Sequence, residues 1–203
     1  MKRINSIALA LLTGIALSGC DWQGNQTIIG TGDVESMDVQ LPGFEGVGIE
    51  GTCNVEILIG EPQSVTFYAQ PEILEVLTYK VKNGILQIGF KPDCSVNTSE
   101  EISARIVIPS LSFAAVTGAG DFILSGDRQA LLDIHITGTG NLKAFEMEVK
   151  ECNIRISGAG NCEVNVIDNL DVKISGMGNV WYKGSPSLTT DVSGVGNVVP
   201  VTL

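Results

Sequence analysis

The sequence predicts an all-β fold of the parallel β-solenoid type, assembled from repeats of 18–20 residues, and three observations predict it. One Gly-rich phrase is written five times, as VTGAGD, ITGTGN, ISGAGN, ISGMGN and VSGVGN. Its middle Ser or Thr falls at Thr117, Thr137, Ser157, Ser175 and Ser193, at intervals of 20, 20, 18 and 18 residues. Ahead of the phrase the chain alternates. Counting back two, four and six from the first glycine gives Ile136, Ile134, Leu132; Ile156, Ile154, Cys152; Ile174, Val172, Leu170; and Val192, Thr190, Leu188. The positions between them are Asp133, His135, Asn153, Arg155, Asp171, Lys173, Thr189 and Asp191, all polar. Period two with one apolar face is a half-buried strand. Composition agrees: 24 glycines, 5% aromatics and many β-branched residues leave PEILEVL at 71–77 as the one stretch with helical spacing, at most two turns of it.

Taken from the N-terminus, residues 1–19 read as a signal peptide. Lys2 and Arg3 form a basic start, residues 7–17 an apolar run too short to span a bilayer as a mature helix, and LSGC closes it. A cysteine directly after Leu-Ser-Gly resembles the lipobox of bacterial lipoproteins, which implies cleavage before Cys20 and acylation of its thiol. Several acyl chains, of the palmitate kind, anchor stably because each buried methylene contributes about 0.8 kcal/mol. Asp21 resembles the inner-membrane retention signal of enteric-type bacteria; outside them the leaflet, periplasmic or surface-facing, stays open. Residues 20–33 then read as the lipidated cysteine and a polar tether, and residues 34–203 as one β-rich domain. Within 55–110, NVEILIG, SVTFYAQ, YKVKNGILQIGF and ARIVIPSL read as strands that cover an end or flank of the repeats, with Asn83-Gly84 as a hairpin turn. IEGTCN at 49–54 is a degenerate sixth copy in which Cys53 replaces the second glycine.

In each repeat the reading is strand, corner, strand, turn, with Phe122, Leu142, Cys162, Val180 and Val198 facing inward after the corner. One coil cannot bury its apolar side alone; coils stacked about 4.8 Å apart can, and five or six make a rod of roughly 25 Å.

The corner residues are Gly118, Gly120 and Asp121; Gly138, Gly140 and Asn141; Gly158, Gly160 and Asn161; Gly176, Gly178 and Asn179; Gly194, Gly196 and Asn197. Dinucleotide binding would need GxGxxG between a strand and a helix, whereas here a strand follows. Calcium-binding nonapeptides have a compatible period, but Asp121 is the sole carboxylate at the relevant position, and neutral amides are poor ligands for a hard cation. Corner geometry accounts for the whole phrase: glycine turns at positive φ without a clash, Asn tolerates it, and stacked Asn side chains form an amide ladder.

The five phrases, together with FEGVGIEGTCNVEILIG and VKNGILQIGF, resemble the repeats and opening strands of the putative auto-transporter adhesin head GIN domain family. The resemblance covers residues 40–198. It implies a right-handed parallel β-helix, membership of a family of bacterial exported proteins and lipoproteins, a link to surface adhesion, and no catalytic motif to carry over.

Charge and chemistry narrow the function. The chain carries 12 basic and 23 acidic residues, net −11; without Lys2 and Arg3 the sum is 10 − 23 = −13. Such a surface repels nucleic acid and anionic headgroups. His135, the single histidine, falls in a column with Arg155, Lys173 and Asp191, beside Asp133, a mixed-charge surface ladder rather than a triad. Asp133, Asp171 and Glu163 are outward carboxylates of a solvated acidic face, and Trp181 points outward with Tyr182 inward. Cys152 and Cys162 flank one corner, Cys53 and Cys94 lie in the less regular half, and export permits at least one disulfide among them. The expectation is an exported, lipid-anchored, non-enzymatic solenoid, structural or adhesin-like, with no cofactor or metal. Its partners would be the membrane, through the lipid, and an envelope protein or glycan. A periplasmic glycan- or calcium-binding module is the alternative, ahead of a glycan-active enzyme.

Overall fold

The computed structural model describes residues 26–201, so the signal segment, Cys20 and Asp21 lie outside the described residues. The described chain is all-β, with one helix of 6 residues. In order the elements are β1 (Gln26–Ile29), β2 (Glu35–Val39), β3 (Gly46–Ile49), β4 (Asn54–Ile59), β5 (Ser64–Ala69), α1 (Pro71–Val76), β6 (Leu77–Lys82), β7 (Ile85–Phe90), β8 (Cys94–Asn97) and β9 (Ser103–Ile108). There follow β10 (Phe113–Val116), β11 (Phe122–Gly126), β12 (Gln129–Ile136), β13 (Leu142–Ile156), β14 (Cys162–Ile174), β15 (Val180–Lys183), β16 (Ser187–Val192) and β17 (Val198–Pro200).

Successive copies of the repeat lie side by side, parallel and in register. On one face the partners run β7, β3, β10, β12, the second half of β13, the second half of β14, and β16. On the other they run β9, β4, β11, the first halves of β13 and β14, β15, and β17. Bridges at the corners link Thr52, Ala119, Thr139, Ala159, Met177 and Val195 in one line. The sheet of 15 strands curls so that both faces enclose a single core.

Register places IEGTCN as a sixth copy: Ile49 pairs with Val116, Thr52 with Ala119, and Val55 with Phe122. The alternation read from the sequence becomes columns. Ile49, Val116, Ile136, Ile156 and Ile174 form one, each at most 1% exposed. Such burial contributes about 1.5–3 kcal/mol per side chain, and only when a neighbouring copy supplies the other wall. Where the repeat shortens from 20 residues to 18, β13 bulges: Ala144 pairs with Val164, but the next pair is Glu148 with Asn165.

The stretch 55–110 finishes one end. β5 runs antiparallel to β9, β2 antiparallel to β5, and β6 antiparallel to β7. Asn83 (φ 52°) and Gly84 (φ 75°) make the β6–β7 turn, both left-handed as a two-residue hairpin requires. α1 packs on β1 and β5 and buries Ile73 completely. Part of the expected tether is structured instead: residues 26–29 are β1, paired parallel to β8 because the insertion after β7 offers it an edge.

Candidate functional site

The corner glycines are required by close stacking, which corrects the expectation that they turn at positive φ. Of the ten, only Gly120 has a left-handed φ, 150°. What excludes a side chain is the copy beneath. A Cβ on Gly138 would lie 2.0 Å from the carbonyl oxygen of Gly118, and one on Gly158 2.0 Å from that of Gly138. In the second column a Cβ on Gly140 would lie 1.9 Å from the Gly120 oxygen, and one on Gly160 1.8 Å from the Gly140 oxygen. Cys53 escapes this rule for a structural reason. Beneath it the chain leaves the stack after Phe90 and returns at Ser103, so no tight corner underlies that position.

Beside the glycines runs a side-chain ladder with one polarity. The Asn197 backbone N–H and Nδ2 both donate to Asn179 Oδ1, at 3.0 and 3.3 Å, and Asn179 does the same to Asn161 Oδ1. Asn161 continues to Asn141, and Asn141 to Asp121 Oδ1 at 2.7 and 3.0 Å. Asp121 fits because the rung above needs only an acceptor oxygen. Its own backbone N–H donates to Asn54 Oδ1, and Asn54 Nδ2 ends the ladder on the Glu101 carboxylate at 2.9 Å.

Among the described residues Cys53, Cys94, Cys152 and Cys162 stand as free thiols, so the expected disulfide among them is not formed. Cys53, Cys152 and Cys162 occupy core positions where small apolar groups fit. Burial pushes the Cys53 thiol up to about 12, with a further contribution from Glu101, and burial alone pushes Cys162 up to about 12. Cys152 is raised by burial, then by Cys162 and Asp133. These are unreactive thiols.

On the outer face, His135, Arg155, Lys173 and Asp191 align across four neighbouring strands. Lys173 Nζ lies 2.9 Å from an Asp191 carboxylate oxygen, and the ring of Phe113 meets His135 edge-on at 5.3 Å. Asn153 Nδ2 donates to Asp133 at 2.6 Å. Trp181 lies on the outward column beside Glu163 and Val199, while Tyr182 lies on the inward one beside Val164. Asp171 is outward, next to Asn153 and Thr189. Ser157 and Ser175 sit at exposed corners. Among the described residues no group of three His, Cys, Asp or Glu side chains is placed to hold a metal ion.

One feature escapes sequence reasoning. A cleft of about 520 Å³ opens where β5, β9, β4 and β11 lie side by side. Tyr68, Glu56, Arg105, Asp121, Glu100 and Glu101 line it, and Val34 and Ile123 give it apolar rims. Arg105 Nε donates to Glu56 at 3.1 Å while its guanidinium lies over the Tyr68 ring, 5.8 Å from the centroid. These residues share no motif. Antiparallel pairing of β5 on β9 and parallel pairing of β9 on β4 bring them together. The TSEE run at 98–101 is the faint signal that a polar wall stands there.

A family model described as putative auto-transporter adhesin, head GIN domain, matches residues 43–131 and 93–186. No curated protein matches the chain. Among solved structures, a putative adhesin from Bacteroides fragilis is 17% identical with a TM-score of 0.59, over 86% of this chain and 100% of that one. A putative lipid binding protein from Parabacteroides distasonis is 16% identical with a TM-score of 0.53, over 87% of this chain and 100% of that one. Likeness at this identity speaks to fold alone. The family model spans both the finished end and the repeats, and by it the chain belongs to the putative auto-transporter adhesin head GIN domain family.

Proposed function

We propose that this protein is an exported, lipid-anchored, non-enzymatic β-solenoid with an adhesin-like or structural role at the cell envelope, its copies winding as a right-handed parallel β-helix. The observation that carries the reading is the parallel pairing of copy on copy from β3 to β16, with bulges where β13 meets β14, which supports a stiff body with flat outer columns. The family supports the adhesin-like role, and the LSGC segment supports attachment through Cys20 to the inner or outer membrane. Labelled palmitate supplied to cells making the full chain should enter the wild type and not Cys20→Ala. Cells displaying the wild type should bind a surface, host cell or envelope fraction that cells carrying the variant do not. Label in Cys20→Ala, or turnover of a glycan by the purified chain, would refute the reading.

A second reading, a glycan-binding module, rests on the cleft. Tyr68 offers a ring, and Glu56, Arg105, Glu100 and Asp121 offer the hydrogen-bonding groups that sugars take. A glycan array probed with the wild type and with Tyr68→Ala decides it: a glycan lost on substitution supports the cleft, and unchanged signals reject it.

A further inference from the structure

Among the described residues the last copy leaves the core open. Leu188 and Val192 sit in the inward columns, yet they are 41% and 42% exposed, whereas their partners one copy below, Leu170 and Ile174, are 1% and 0%. Every residue of β16 is exposed, and β16 pairs with β14 alone among the described residues. Its outer edge therefore presents backbone N–H and C=O groups beside uncovered apolar side chains. Val195, at the corner of the same copy, is exposed as well. The opposite edge is different: β6 shows Lys80 and Lys82, the charges that discourage strand addition.

A strand that completes β16 must set apolar groups over Leu188 and Val192, a small group over Thr190, and no carboxylate against Asp191. A second β16 running antiparallel does this in one register. Centred on Thr190, it sets Val192 over the partner's Leu188, Thr190 over the partner's Thr190, and Asp191 opposite the partner's Thr189. Apolar and Thr–Thr cross-strand pairs of this kind each contribute roughly 0.2–1 kcal/mol. Centred on Thr189, the strand would set Leu188 against Thr190 and Val192 against Pro186; a parallel copy would stack Asp191 on Asp191. The geometry points to β16 as the seam of a two-fold dimer, in which a second copy of this chain continues the sheet antiparallel through Thr190. The contact is isologous and therefore closed, unlike head-to-tail stacking, which would run on as a filament. It continues the copy-to-copy interface already repeated within the chain.

The full chain, extracted in mild detergent, gives the test. Sedimentation with density-matched detergent should find a dimer for the wild type and a monomer for Thr190→Lys, the variant still unfolding cooperatively but at a midpoint that no longer rises with protein concentration. In a Cys94→Ser background, Thr190→Cys should form an interchain disulfide on mild oxidation of whole cells, since directly opposed residues lie within bridging distance. Thr189→Cys, which faces Asp191 and not itself, should cross-link far less. A monomeric wild type overturns the proposal, as does a dimer that survives Thr190→Lys or equal cross-linking of the two cysteine variants. Association broken by Lys80→Glu but not by Thr190→Lys would mean head-to-tail stacking and would overturn it too.

Discussion

At one end of the stack, β7 and β9 carry antiparallel partners on their outer edges, and Ile73 of α1 is wholly buried. At the other, β16 and β17 have no outer partner among the described residues, and Leu188 and Val192, the inward apolar residues of β16, stand more than a third exposed. The ladder beside the corners shares this asymmetry. Its amide end is closed by the Glu101 carboxylate, while Asn197, the last rung, donates to Asn179 and accepts from no described residue. The difference teaches that a repeat stabilises its neighbour, not itself: the same residue types are rigid core in the middle and loose surface at an open end.

Substitutions at matched positions sharpen this. The largest contrast is expected at the corners. Gly140→Ala should cost about 3 kcal/mol or more in chemical unfolding, because copies on both sides hold the clashing backbone in place. Gly196→Ala, with a similar clash below but no described residue stacked above, should cost under about 1 kcal/mol, since the last copy can lift away. Equal losses would show the open end to be as firmly held as the middle. Next come core truncations. Ile73→Ala under the finished end should cost about 3 kcal/mol, as a mid-stack isoleucine would, and Val192→Ala at the open end less than about 1 kcal/mol. A cost for Val192→Ala that grows with protein concentration would itself report pairing at β16.

In the ladder, Asn161→Ala removes an acceptor used by two donors of Asn179 and should cost about 2 kcal/mol. Asn197→Ala removes only one donor contact and should cost under about 1 kcal/mol. The smallest effect near neutral pH concerns the thiols. Cys53, though it lies towards the finished end, is as hidden as Cys162, so a thiol reagent at pH 8 should label neither before unfolding. These folded-state pKa values are raised. Their contribution to stability is therefore intact below the ordinary thiol pKa of about 8.5 and is lost as pH climbs towards about 12. The unfolding midpoint should fall over that window, at up to about 1.4 kcal/mol per pH unit for each thiol. A flat midpoint would mean that these thiols meet water.

Much of this was legible in advance. The alternation ending at Ile136, Ile156 and Ile174 named the inward columns, and the phrase with its 18- and 20-residue spacing named the register. The Asn column and the Asn83-Gly84 hairpin were legible for the same reason: each is a local pattern with one mechanism. The cleft was not, because Tyr68, Arg105 and Glu56 come from three strands whose pairing no local rule specifies. Local rules also give the corner glycines the wrong role. Gly138 and Gly140 look like turn residues in isolation, but the atoms that exclude their side chains, the oxygens of Gly118 and Gly120, belong to the copy below.

By itself, then, the sequence determined which residues face the core, how often the chain turns and where copies begin, since these follow from side-chain period and steric preference along one strand. Tertiary structure alone decided why glycine is obligatory at the corners, why Cys53 is allowed in place of one, where the cleft opens and which end is left bare among the described residues. Those depend on what lies one copy away across the stack, a distance of a few ångströms in space and about twenty residues or more along the chain.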